Sequence, residues 1–129
     1  MLCLCHSGLN YCDCCEPYHK GTALPETPLI LMRSRYSAYA RGLAEYIIET
    51  THPKNPLYEK DVKKWAGEIL RFSKETRFVG LDILGHGEDW VEFSAHLIQG
   101  GQNVLLREKS RFAKLGGKWL YLSGVVSTQ

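Results

Sequence analysis

At 129 residues, 44% hydrophobic and 23% charged, the chain suits one compact domain with a small appendage and can bury a real core. A net charge of +2, with sixteen Lys and Arg scattered along the chain, gives no basic stripe and argues against nucleic acid; no apolar run approaches the roughly 20 residues of a membrane span. No basic region leads into an apolar stretch at the N-terminus, so no secretory signal is expected and the cysteines should be reduced thiols in a cytoplasm.

All five cysteines, at positions 3, 5, 12, 14 and 15, lie in the first twenty residues, together with His6 and His19. Side chains this small cannot fill a core, so the crowding points to bond-making. C-x-C and C-C pairs separated by a loop can close a tetrahedron of thiolates around zinc. Ser7-Gly8-Leu9-Asn10 supplies the turn between the two arms. The favoured ligands are Cys3, Cys5, Cys14 and Cys15. Cys12, His6 and His19 compete with them, and His19 could replace Cys15 across a four-residue offset. A metal-free reactive tail is the bland alternative. A disulfide is disfavoured by the adjacent and near-adjacent spacings, and redox work by a low-pKa thiol is the weaker reading.

Cys3-Leu4-Cys5-His6-Ser7-Gly8-Leu9-Asn10-Tyr11 followed by Cys14-Cys15 resembles the SEC-C zinc motif, best known from the tail of the SecA translocase. Leu4 and His6 stand where that motif usually has Pro and Gly, and its customary lysines are absent. The resemblance implies zinc, while the missing lysines remove the basic surface that would suit an acidic partner.

Glu16 to Thr27 carries Pro17, Gly21 and Pro25 and reads as a connection, with Tyr18 able to anchor it. The knuckle is assigned to residues 1–20, a linker to 21–28 and the folded domain to 29–129. Thr27-Pro28 offers an N-cap and a first-turn proline. Leu29, Met32, Tyr36, Tyr39, Leu43 and Tyr46 then recur at helical spacing as one buried face. Gly42 should split this stretch into a helix ending near Arg41 and a shorter one over 43–50. His52-Pro53 closes it. A further helix is expected from Asn55-Pro56, with Val62, Trp65, Ala66, Ile69 and Phe72 inward.

Leu31-Met32-Arg33-Ser34-Arg35-Tyr36 and Thr51-His52-Pro53 extend the likeness to the YchJ family of bacterial proteins over nearly the whole chain. Arg33 and Arg35 lie roughly 200° apart on a helical wheel, so they cannot share a face. One can be solvated while the other reaches a buried acceptor, stapling helix to sheet or binding an anion.

After Lys74 the period becomes two. Residues 78–84, 90–99, 104–114 and 119–125 read as strands joined by glycine-rich turns, giving α+β. A curved antiparallel sheet wrapped around helices would cover one sheet face, which is also the nuclear transport factor 2-like cone that the YchJ resemblance implies. On the third strand Val104, Leu106, Glu108, Ser110 and Phe112 share one face. If that face is the core, Glu108 needs a partner, and Arg33, Arg35 and His52 are the candidates. Val91, Phe93, Ala95 and Leu97 form the inner row of the second strand, placing His96 on the solvent side.

Glu108 and an arginine either form a structural ion pair or line a cavity walled by Tyr36, Tyr39 and Trp65 that takes a small molecule. The favoured reading is a cytoplasmic zinc-binding adaptor of the YchJ type, without enzymatic activity, that meets a protein partner through its knuckle. The alternative is a hydrolase or isomerase using Glu108 and His52. YchJ-like chains commonly carry a second, C-terminal knuckle, and the absence of later cysteines is expected to exclude a two-knuckle clamp. Pairing of two copies through the sheet is left open by an outer face where Leu105 stands among charges.

Overall fold

The computed structural model describes residues 1–128. A short 3-10 turn, Tyr11–Asp13, and a one-turn helix α1, Glu16–His19, precede three longer helices: α2 (Pro28–Arg41), α3 (Ala44–Glu49) and α4 (Val62–Glu75). The strands β1 (Thr76–His86), β2 (Trp90–Gln99), β3 (Gln102–Leu115) and β4 (Lys118–Thr128) follow, paired in sequence order as an antiparallel meander. Helix α4 runs into β1 without a loop.

Helix α2 begins as its sequence predicts. Thr27 Oγ1 accepts from the Ile30 amide at 3.2 Å, Pro28 fills the first turn, and Gly42 ends the helix at φ 71°. The helix expected at Asn55-Pro56 starts later. Asp61 is the real N-cap, accepting from the Lys64 amide at 3.1 Å. Asn55 is spent elsewhere: its Oδ1 accepts from the Leu57 amide and its Nδ2 donates to the Leu122 carbonyl at 2.9 Å. Val62, expected inward, sits in the first turn and is 55% exposed, whereas Phe72 turns inward against Tyr39 and Phe78. Trp65 and Ile69 carry the buried face of α4.

The inner sheet face holds Leu81, Val91, Phe93, Ala95, Leu97 and Phe112 against Leu31, Met32 and Tyr36 of α2. His96 is on the outer face and exposed, as expected, with its Nε2 2.7 Å from Asp82. A second cluster joins Ala38, Ala44, Tyr46, Ile47, Trp65 and Ile69, and Tyr18 packs on it.

The tail of α3 is stitched to β4. The Tyr121 amide donates to Thr50 O and the His52 amide donates to Tyr121 O, both at 2.8 Å. Leu122 forms a bulge opposite the Arg111–Phe112 step, since Arg111 pairs with Ser123 and Phe112 with Tyr121. That extra residue brings Tyr121 and Gly124 to the same, inner face.

Helix α2 is covered on more than one side. Ser34 and Ser37, polar residues that a one-face pattern assigns to solvent, are both 0% exposed. The N-terminal segment lies over them.

Candidate functional site

The knuckle is a miniature hairpin. Leu2 bridges Asn10, the Cys3 amide donates to Leu9 O at 2.8 Å, and the Tyr11 amide donates to Met1 O at 2.9 Å. His6 turns the chain at φ 61°, in the left-handed region that glycine adopts without strain. This is a backbone reason for the glycine more usual there. The 3-10 turn and α1 then carry Cys14 and Cys15 back to Cys3 and Cys5.

The sulfur atoms of Cys3, Cys5, Cys14 and Cys15 all lie within 4.8 Å of one another. Cys5 is 3.5 Å from Cys14, and Cys14 is 3.8 Å from Cys15. None of the five cysteines is in a disulfide, and Cys12 is exposed, outside the cluster. Cys3, Cys5 and Cys15 are buried.

These thiols cannot all ionise unaided. A hydrogen bond from Cys15 draws Cys5 down to about 4 in spite of its burial. Cys15 is pushed far up, first by holding the proton of that bond and then by burial. Burial, aided by the charge on Cys5, lifts Cys14 to about 11. Cys14 and Cys15 thus hold their protons beside an easily ionised Cys5, and a bound cation is what would let them lose those protons. A donor set of this kind is compatible with a metal ion.

The two histidines are occupied elsewhere. Tyr11 Oη donates to His19 Nδ1 at 2.7 Å, and His19 Nε2 donates to the Ser34 carbonyl at 2.8 Å. Because that carbonyl can only accept, the ring is the neutral Nε2–H tautomer, and burial holds its pKa below the ordinary value. His6 Nε2 lies 3.3 Å from the Phe78 carbonyl, and its ring meets Tyr36 edge-on.

Both arginines anchor the fold. Arg33 Nη1 donates to the Cys5 carbonyl at 3.0 Å, tying α2 to the knuckle. Arg35, 8% exposed, donates through Nη1 to Ile47 O, Thr50 Oγ1 and Thr51 Oγ1, and its guanidinium stacks 4.7 Å from the centre of the Tyr121 ring. The arginine staple is thus real, but it joins α2 to the end of α3 and the face of β4.

A cavity of about 450 Å³ opens between α2, α4 and the inner sheet face. Tyr36, Tyr39 and Trp65 wall it as expected, with Arg35, Glu108 and Ser110 also lining it. Glu108 does not pair with Arg33, Arg35 or His52. Its Oε2 accepts instead from Ser110 Oγ and, at 2.9 Å, from Tyr121 Oη. Arg33 points to the knuckle, Arg35 is consumed by the end of α3, and His52 Nδ1 accepts from the Lys54 amide outside the cavity wall. The Glu108–His52 pair of the enzymatic alternative is therefore not assembled. Tyr121 shares the inner face with Trp119 by simple alternation, and a search for partners among charged residues alone passes it over; the Leu122 bulge then turns Gly124 to the same face.

Residues 27–124 match the family model described as the YchJ middle NTF2-like domain. The chain belongs to the YchJ family. A UPF0225 protein from Serratia proteamaculans is 40% identical over 131 residues, covering 95% of this chain and 82% of that protein. Among solved structures, a SEC-C motif containing protein from Rhodopseudomonas palustris is similar at TM-score 0.81 and 34% identity, covering 97% of this chain and 98% of its own. One from Psychrobacter arcticus is similar at 0.72 and 30%, covering 95% and 76%. The nuclear transport factor 2-like α+β fold of this YchJ member, with its N-terminal cysteine cluster, follows from the meander, the helices and these likenesses. Among the described residues, no helix is long and apolar enough to cross a membrane.

Proposed function

We propose that this YchJ-family protein is a zinc-binding, non-enzymatic interaction module whose knuckle is folded by its metal against α2. The observation that carries the reading is the mutual approach of four sulfur atoms within 4.8 Å. A tetrahedron with Zn–S of about 2.3 Å has sulfurs about 3.8 Å apart, close to the 3.5 and 3.8 Å separations present. Cys3, Cys5, Cys14 and Cys15 would hold the ion. Four thiolates complete its tetrahedron and leave no position for a reacting water, so the chemistry zinc supplies here is structural. Thiolate ligands need a reducing compartment, which the proposal takes to be the cytoplasm.

An interaction role is supported by the outward edge of the knuckle, where Met1, Leu2 and Leu9 are 83%, 63% and 54% exposed. An apolar edge on a segment rigidified by metal suits a protein partner. The test has two arms. Native mass spectrometry of protein purified under reducing conditions should show one zinc per chain, and a zinc-free folded knuckle overturns the metal reading. Capture with the Leu2→Ser, Leu9→Ser double variant should lose partners that the parent chain retains; identical sets overturn the interaction reading while leaving the metal intact.

A further inference from the structure

The inner face of β3 carries a carboxylate where stability alone would favour an apolar side chain. Several features exist to hold it. Ser110 and Tyr121 both donate to Glu108 Oε2. Tyr121 is fixed in turn by backbone bonds to Thr50 and His52 and by the Arg35 guanidinium on its ring. Gly124 clears the space: a Cβ there would lie 2.5 Å from Glu108 Oε2 and 2.5 Å from Tyr121 Oη. Burial and the Glu108 charge raise the pKa of Tyr121, so its phenol remains a donor.

This arrangement satisfies one carboxylate oxygen twice. Among the described residues no protein group donates to Oε1, although Glu108 lines the cavity. The remaining walls are dominated by aromatic and aliphatic groups, including Tyr39, Trp65, Phe72, Phe78 and Phe93. A largely apolar hollow with one oriented acceptor has the make-up of a small-molecule site. The Arg35 guanidinium, stacked on the Tyr121 ring and lining the same cavity, offsets the Glu108 charge and removes the advantage a cation would otherwise have. An anion would meet the carboxylate directly.

We propose that the cavity binds a small, uncharged, largely aromatic molecule that presents a single O–H or N–H to Glu108. The site is independent of the metal and of the knuckle's outer edge.

Three probes sharing one ring system test it on the intact, metal-loaded chain: 2-naphthol, 2-methoxynaphthalene and 2-naphthoate. Trp65 reports binding through its indole N–H resonance, because Trp65 lines the cavity whereas Trp90 and Trp119 do not. The naphthol should bind about tenfold more tightly than the methoxy compound, the worth of one hydrogen bond to a charged acceptor, and the naphthoate most weakly. Glu108→Gln should abolish the penalty on the naphthoate. Leu106→Trp, which fills the cavity from a half-buried position, should abolish binding of all three. Equal affinities for the three probes, a Trp65 resonance unmoved at saturating probe, or undiminished binding by Leu106→Trp would each overturn the proposal. Should Glu108→Gln fail to fold, the ranking of the probes on the parent chain decides alone.

Discussion

In the knuckle, four thiols converge on a point that no basic side chain among the described residues reaches; in the cone, two hydroxyls converge on one oxygen of Glu108. Cys3, Cys5, Cys14 and Cys15 surround a centre with no protein cation among the described residues, and Cys14 and Cys15 are held as thiols by burial and by their bonds to Cys5. Glu108, Ser110, Tyr121 and Arg35 are joined by hydrogen bonds and a stacked guanidinium. The apolar cluster of the knuckle is little more than its own sulfurs with Tyr11, whereas the cone packs two clusters of aliphatic and aromatic side chains. On the proposed reading the knuckle owes its shape to a bound ion, whereas the cone is held by the chain's own side chains.

The largest effect should come from removing a sulfur. Cys5→Ser should lower bound zinc from one equivalent to less than about a tenth, since structural zinc contributes roughly 10–16 kcal/mol that three ligands cannot recover. Amide exchange across residues 1–20 should then become fast while β2 and β3 stay protected. Cys12→Ser should retain the metal. A knuckle that keeps its protection without zinc would erase the distinction between the two regions.

That distinction was half legible in the sequence. Paired cysteines at C-x-C and C-C spacing announce their chemistry because few other arrangements use them. The meander was legible because strand alternation and glycine turns are local signals. Contacts between distant segments were not. Ser34 and Ser37 look like solvent residues until His19 lies over them, so the N-terminal segment read as an appendage although it roofs α2. Glu108 does lie on the inner face, the case in which it needs partners, but charge is the wrong guide to them. Two hydroxyls serve instead, Ser110 two residues along the same strand and Tyr121 on the neighbouring one. Asn55-Pro56 resembled a helix start because an asparagine that caps and one that ties a loop to Leu122 look alike in sequence.

The next effect is on the cone. Gly124→Ala puts a methyl 2.5 Å from both Glu108 Oε2 and Tyr121 Oη, so the carboxylate must swing away and forfeit donors. The expected cost is about 1–3 kcal/mol, read as a lower denaturant midpoint. Zinc content should not change. A loss of metal in this variant would mean that the two regions are coupled through α2.

Alkali should separate them by another route. Burial raises Tyr36 and Tyr46 to about 12 and also raises Tyr121, with Glu108 adding to the last. Unfolded tyrosines ionise near 10, so the unfolded chain releases its protons first. The contribution is therefore whole below pH 10 and lost as the pH climbs from 10 through 12. The denaturant midpoint should stay level up to about pH 10 and then fall, with the phenolate absorbance of these residues rising alongside loss of the sheet. Phenolate absorbance from Tyr36, Tyr46 and Tyr121 in a chain still fully folded would show that water reaches these phenols in the native state.

The smallest effect probes the seam. Arg33 is half-buried and joins the regions through one bond, Nη1 to the Cys5 carbonyl at 3.0 Å. Arg33→Ala removes a donor without touching a sulfur, so zinc should stay at one equivalent. His19 still holds Ser34 O, and the Arg41 guanidinium still stacks 3.9 Å from the Tyr11 ring centre. The loss should therefore be about 1 kcal/mol, or roughly a fivefold faster exchange of knuckle amides, with little change in the strands. Arg33→Lys should recover part of it, since an ammonium can reach the same carbonyl without the guanidinium's planar geometry. If Arg33→Ala instead lowers the global midpoint as far as Cys5→Ser does, knuckle and cone unfold as one unit, and the metal stabilises the whole chain through this single arginine.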